Sequence, residues 1–235
     1  MKYSSETEYK ISLYYRKDEG KQKMKEKVKE FIVKKLKWII LFICLIGFLT
    51  IAEDVFNKEI MNGDIVGYKL ISTFLLSDFA TPIAKFITNF GGAIFLAVLT
   101  IILFILIKNK KIGLSIFSNL VIITALNQLL KNILQRPRPT EYRIIEETGY
   151  SFPSGHSMIS MAFYGYIIYL IYKYVKNKYI KWFSIVLLSI LICSIGISRI
   201  YLGVHYTSDV LGGFLISVSY LVIYISAVNK FFMEK

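Results

Sequence analysis

Cysteine and histidine are almost missing from this 235-residue chain, which holds two of each. Cys44 and Cys193 both fall inside apolar runs, so a disulfide framework is not expected. No spacing of Cys, His or carboxylates suits a metal, and no cofactor is expected. Both cysteines read as small residues of an apolar interior. Charge is scarce as well: 19% of residues are Asp, Glu, Lys or Arg, against 55% hydrophobic. A water-soluble domain of this length has fewer apolar residues and intersperses them with polar ones. Here they run together in blocks of roughly 16 to 23 residues, the length that crosses about 30 Å of hydrocarbon. Acids are outnumbered 16 to 29, for a net charge of +13, yet the lysines flank the apolar blocks rather than gather on a soluble domain. That distribution excludes a nucleic-acid partner and reports membrane topology and attraction to anionic lipid.

Residues 1–35 form a charged N-terminal segment, and residues 36–230 form a six-span membrane domain. Within the segment Met24, Val28, Phe31, Ile32 and Leu36 recur at helical spacing among lysines, which predicts a cytoplasmic amphipathic helix on the membrane surface. Leu36–Ala52 is the first apolar block. Thr50-Ile51-Ala52 has the small-x-small form of a signal-peptide cleavage site, but the charged region before it is too long, so a retained anchor is expected. Residues 53–82 are a mixed connection carrying Glu53, Asp54, Glu59, Asp64 and Asp78, and Pro82–Phe90 reads as a short interfacial helix ending at Gly91-Gly92. The remaining blocks run from Phe90 to Ile107, Ile112 to Leu134, His156 to Tyr174, Trp182 to Ile197 and Ser208 to Val228. The expected fold is all-α, an integral membrane bundle of six transmembrane helices.

Placing the N-terminus in the cytoplasm puts 21 Lys and Arg on that side and 8 on the other. The positive-inside rule therefore puts both termini in the cytoplasm of a multi-pass cell-membrane protein. Five of the eight outer charges, Lys131, Arg136, Arg138, Arg143 and Arg199, lie where the rule disfavours them.

Those charges sit among other reactive groups. Thr124, Gln128, Lys131 and Gln135 recur at steps of three or four, a stripe expected to face the bundle interior or a wet cavity. A lysine within a span costs about 2.5–3.5 kcal/mol on insertion, which makes Lys131 a functional candidate. Gln135-Arg136-Pro137-Arg138-Pro139 then stops the helix and holds the chain extended, so that Arg138, or Arg136 instead, can fold back toward Lys131. In Pro153-Ser154-Gly155-His156, Ser154 suits a helix N-cap, and the amides of Ser154, Gly155 and His156 would point outward as an anion site or serve a plain cap. Finally, Asp209 follows His205 by four residues, one helical turn, so its carboxylate can hold one imidazole nitrogen and leave the other free. Three cations, a helix N-terminus and two imidazoles on one membrane side describe a phosphate site with acid–base equipment.

Lys131 followed after six residues by Arg138-Pro139, then Pro153-Ser154-Gly155-His156, then Ser198-Arg199 with His205 and Asp209, are three motifs in order. In these the sequence resembles the type 2 phosphatidic acid phosphatases, whose motifs are shared with bacterial acid phosphatases and vanadium haloperoxidases. The resemblance covers roughly residues 90–228. It implies that Arg138 rather than Arg136 binds phosphate, together with Lys131, Ser154, Gly155 and Arg199. It also implies that His205 attacks phosphorus, that Asp209 orients it and that His156 protonates the leaving group. The implied activity is metal-independent hydrolysis of a lipid phosphate or pyrophosphate through a phosphohistidine. The candidate substrates are undecaprenyl pyrophosphate, phosphatidylglycerophosphate and phosphatidic acid. The Lys and Arg count puts the site on the extracellular side, and catalytic groups at the outer ends of spans meet headgroups while lipid tails stay in the bilayer, so a lipid phosphate or pyrophosphate is expected rather than a soluble ester. The rival readings are a lipid phosphotransferase using the same phosphohistidine and a non-catalytic lipid-phosphate binder or transporter.

Overall fold

The structure is a computed structural model that describes residues 3–57 and 61–233. The chain divides into two compact units, Met1–Ile40 and Leu41–Lys235. In the first the backbone is helical from Tyr3 onward. Met24, Val28, Phe31 and Ile32 are exposed there, while the side chains of residues 1–21 and of several positions between 23 and 34 lie outside the described residues. With Leu36, also exposed, the five residues of the expected amphipathic face are all described, and none of them is buried.

Among the described residues only helices form. α1 (Tyr3–Phe56), α2 (Asn62–Leu75), α3 (Ala80–Asn89) and α4 (Ala93–Leu106) precede α5 (Lys110–Leu134), α6 (Gly155–Tyr174), α7 (Lys178–Tyr201) and α8 (Thr207–Val228). Among the described residues, four segments are long and apolar enough to cross a membrane: Lys35–Phe56, Lys110–Leu134, Lys178–Tyr201 and Thr207–Phe231. A fifth forms if α3 and α4, bent by 49° at the break that Gly91-Gly92 occupies, count as one broken span. The residues expected to be a mixed connection contain α2, whose first turn carries the buried Asp64.

Surface and interior are reversed relative to a water-soluble protein. Large apolar side chains face outward, with Ile94 83% and Phe183 70% exposed, while Arg199, Asp209, Asn119, Asn127 and Ser160 are buried. Hydrocarbon is as good a solvent for isoleucine as a protein core, whereas a guanidinium there needs partners. This is the architecture of a multi-pass membrane protein. The surface reversal corrects one expectation: Cys193 is exposed on α7 rather than packed in an interior.

α6 packs against α5, α7 and α8 at the centre of the second unit. Small residues let the backbones approach: a Cβ on Gly213 of α8 would stand 3.2 Å from the Ser154 carbonyl oxygen and the Met158 amide. The face α5 turns inward carries Ile116, Asn119, Ile123 and Asn127. The anticipated stripe is one step off that face, with Lys131 and Thr124 half-buried and Gln128 and Gln135 exposed. Asn127 takes the interior position and donates to the Pro153 carbonyl (3.2 Å).

Candidate active site

The site lies where α5 and α7 end and α6 and α8 begin. α5 stops because Gln135 turns left-handed (φ 45°) and its amide closes on the Lys131 carbonyl (3.0 Å), which releases Arg136-Pro137-Arg138-Pro139 as extended chain. The chain returns to the site end through residues 140–154 and enters α6 after a cis Phe152–Pro153 bond. Between α7 and α8, Gly203 takes φ +69°, and a Cβ there would lie 2.0 Å from the Tyr142 carbonyl oxygen, so only glycine fits. That turn carries the chain from Arg199 to His205.

His205 is not on α8, as the four-residue spacing suggested, but in the connection just before it. Asp209, in the first turn of α8, still reaches back to it, with His205 Nδ1 and Asp209 Oδ2 3.2 Å apart. Arg138 Nη1 lies 3.1 Å from His205 Nε2. A guanidinium can only donate, so Nε2 accepts, and the proton must be on Nδ1, where it donates to Asp209. Burial pushes the His205 imidazole pKa down to about 4, against the opposing pull of the Asp209 carboxylate, so at neutral pH Nε2 carries a lone pair.

Asp209 is fully buried and held on both oxygens. Oδ2 accepts from the Tyr206 amide (2.8 Å) and in a very short bond from Ser151 Oγ, while Oδ1 accepts from Arg136 Nη1 (2.7 Å). Its backbone carbonyl accepts from the Ser154 amide at 3.1 Å, tying the start of α8 to the entry of α6.

The remaining cations converge on the 147–150 loop. Lys131 Nζ donates to the Tyr150 carbonyl (2.6 Å), and Arg138 donates to the Gly149 and Thr148 carbonyls (both 3.0 Å) and to that of Val204 (3.0 Å). Arg199, only 1% exposed, donates to Thr88 Oγ1 (2.8 Å) and Glu147 Oε1 (2.5 Å), while its Nε has no partner. Burial raises the Glu147 carboxyl pKa, but the Arg199 guanidinium outweighs it and holds the group below the ordinary carboxylate range. His156, in the first turn of α6, is within electrostatic range of Arg199, Glu147, His205 and Arg138. Gly91, at the α3–α4 bend, backs it: a Cβ there would stand 3.3 Å from His156 Cδ2.

All eight expected residues, Lys131, Arg138, Ser154, Gly155, His156, Arg199, His205 and Asp209, thus belong to one end of the bundle. Two details differ from expectation. Ser154 stands at the N-cap of α6 but makes no side-chain cap; its Oγ instead accepts from Ser157 Oγ (3.0 Å). Its amide is taken by Asp209, which leaves the first-turn amides of Gly155 and His156, positions no helical carbonyl can serve. Asp64, Ser151, Glu147 and Thr88 were not anticipated at the site, and Arg136 was anticipated only as an alternative to Arg138. A buried guanidinium demands a carboxylate, and in a chain this poor in acids that demand points to the few on the site side.

The PAP2 superfamily profile matches residues 111–233, more than half of the chain. Phosphatidylglycerophosphatase B of Bacillus subtilis (strain 168) is 42% identical over 91 residues, which is 38% of this chain and 44% of that protein. That match therefore spans less than half of the relative's length. Undecaprenyl-diphosphatase of Sulfolobus acidocaldarius is 26% identical over 180 residues, 73% of this chain and 79% of that one. Among solved structures, the first transmembrane PAP2-type phosphatidylglycerolphosphate phosphatase from Bacillus subtilis aligns with a TM-score of 0.72 at 27% identity, covering 81% of this chain and 96% of that one. With the three motifs gathered at one end of a matching helical bundle, the chain belongs to the PAP2 superfamily.

Proposed function

We propose that the chain is a membrane-embedded lipid phosphate phosphatase that works through a phosphohistidine on His205. The observation that carries the reading is the position of His205 between Asp209 on Nδ1 and Arg138 at Nε2. An incoming phosphate draws the Arg138 guanidinium onto its own oxygens and frees the Nε2 lone pair. Nε2 then forms a bond to phosphorus as the bond to the leaving oxygen breaks, and His156 gives that oxygen a proton. Asp209 stabilises the positive charge on the His205 ring. Water deprotonated by His156 attacks the phosphohistidine, the P–N bond breaks, and phosphate leaves with His205 neutral again. Lys131, Arg138, Arg199, Ser154 and the Gly155 and His156 amides bind the phosphate oxygens. These cations can supply the charge neutralisation, so no metal or cofactor is required.

In this reading α6 completes the six spans as the fourth along the chain, although its own hydropathy is modest, because α5, α7 and α8 shield its polar and aromatic residues. Residues 36–230 form the phosphatase domain and 1–35 a cytoplasmic tail, both termini are cytoplasmic, and the site opens on the extracellular side. A lipid phosphate or diphosphate fits a site at the helix ends, and relatives bear the names phosphatidylglycerophosphatase B and undecaprenyl-diphosphatase.

The test is phosphate release by the purified protein in detergent from phosphatidylglycerophosphate, undecaprenyl pyrophosphate and phosphatidic acid, with excess chelator and no added acceptor. Undiminished release in chelator, inhibition by vanadate and an acid-labile phosphoenzyme are expected. His205→Ala should lower turnover by at least about a thousandfold, as nucleophile removal does. Chelator-sensitive turnover, or substantial release by His205→Ala, would overturn the mechanism.

A further inference from the structure

Arg136 reaches none of the groups assigned to phosphate. Its Nη1 donates to Asp209 Oδ1 and Ser208 Oγ (both 2.7 Å), and its Nη2 donates to Asp64 Oδ2 (2.7 Å). Its guanidinium carbon lies 4.0 Å from the centre of the Tyr206 ring. Asp64, buried on α2, also accepts from the Ser208 amide (2.8 Å) and Ser208 Oγ (2.9 Å), so it caps the first turn of α8 as well as pairing with Arg136. Asp64 lies outside the family-matched residues 111–233, on a helix that packs against α7 and α8.

We propose that Asp64 and Arg136 are positioning residues for the proposed reaction, acting through Asp209. The inference rests on the reading of His205 and Asp209 given above. Its logic is geometric and electrostatic. Asp209 Oδ2 must stay aligned on His205 while Oδ1 is held elsewhere, and a planar guanidinium gripped by a second carboxylate fixes that second point. Arg136 alone would neutralise Asp209 and weaken its hold on an imidazolium. Two carboxylates sharing one guanidinium keep a net charge of −1 beside the histidine, so Asp209 is pinned and remains an anion facing His205. The clamp also links α2 to the nucleophile.

The test is phosphate release in detergent by the intact protein carrying Asp64→Asn, Arg136→Gln, Arg136→Lys or His205→Ala, each with its melting temperature and its KM and kcat. Asp64→Asn keeps shape and an acceptor for Ser208 while removing charge. It should lower kcat about tenfold with KM within about twofold, within the coupling range of residues sharing one hydrogen-bonded network. Arg136→Gln should cost more, about a hundredfold, and Arg136→Lys should recover part of it, because charge returns without the fork. Combined with Arg136→Gln, Asp64→Asn should add little, since both act through one contact. Wild-type kcat in Asp64→Asn and Arg136→Gln alongside an inactive His205→Ala would overturn the clamp and leave the mechanism standing. An active His205→Ala would overturn the mechanism itself. If Arg136→Gln does not fold, Asp64→Asn decides alone. A fall in kcat accompanied by a matching loss of melting temperature and by raised KM would make the pair a mere scaffold, and also sink the proposal.

Discussion

α5, α6 and α8 carry buried polar groups at both ends, and the two clusters differ in kind. At the site end stand two imidazoles, three arginines, a lysine and three carboxylates. At the other end the cluster is uncharged. Tyr166 donates to Ser115 Oγ (2.8 Å), Tyr224 to the Ser115 carbonyl (2.5 Å), and Tyr220 to the Asn119 carbonyl (3.4 Å), with Ser118 2.7 Å from the Tyr224 hydroxyl. A hydroxyl needs one partner to be satisfied, and a neighbouring helix supplies it. A buried guanidinium needs several partners and a counter-charge. The neutral cluster can therefore be built from three helices alone, whereas the charged one recruits α2, α3 and the 140–154 loop. Polar burial at one end holds helices together; at the other, in the proposed reading, it stores charge for a substrate.

Arg199→Gln would break the comparison most severely, because it removes a guanidinium that is 1% exposed and strands Glu147. Phosphate release should fall about 10²–10³-fold, in line with the loss of one oxyanion-binding donor. A change under threefold would mean that Arg199 serves only to hold Thr88 and Glu147.

Acid sharpens it at a single group. As pH falls through the folded value of about 4, His205 takes a proton on Nε2 and loses its nucleophilic lone pair. The acid limb of kcat/KM that persists across mono- and diphosphate substrates should therefore lie near pH 4, falling about tenfold per unit below it. A limb near 6.5, the value of an unburied imidazole, would show that burial does not govern His205 in the working enzyme.

The smallest effect belongs to the neutral end. Tyr224→Phe deletes a hydroxyl that donates to the Ser115 carbonyl and lies beside Ser118 Oγ, so it should cost about 1 kcal/mol of stability, read as a lower melting temperature, with kcat unchanged. A fall in kcat would show that the two ends communicate.

Much of the site was legible because its residues obey local rules. Lys131 stood out as a charge in an apolar run, His156 opened a helix beside glycine and serine, and Asp209 followed His205 at a fixed spacing. The clamp was not legible, because nothing in the sequence around Asp64 says that it meets Arg136, 72 positions later. Arg136 was visible only as an alternative to Arg138, and the extended Arg-Pro-Arg-Pro run sends the two guanidiniums to different partners. The inward stripe of α5 was misplaced by one step, since periodicity alone cannot tell that Asn127 rather than Gln128 faces α6. α2 was hidden for another reason: its apolar residues are mixed with charges, and its burial of Asp64 depends on helices far along the chain.

The bond from the Ser154 amide to the Asp209 carbonyl has a consequence for inhibitor size. In the proposed reading it splices the phosphate-binding turn to the helix that aims the nucleophile, backbone to backbone, so the gauge between them is not adjustable by side-chain rotation. Anions that match tetrahedral or trigonal-bipyramidal phosphorus in breadth should dock, while wider oxyanions meet a frame that cannot spread without unfastening two helices.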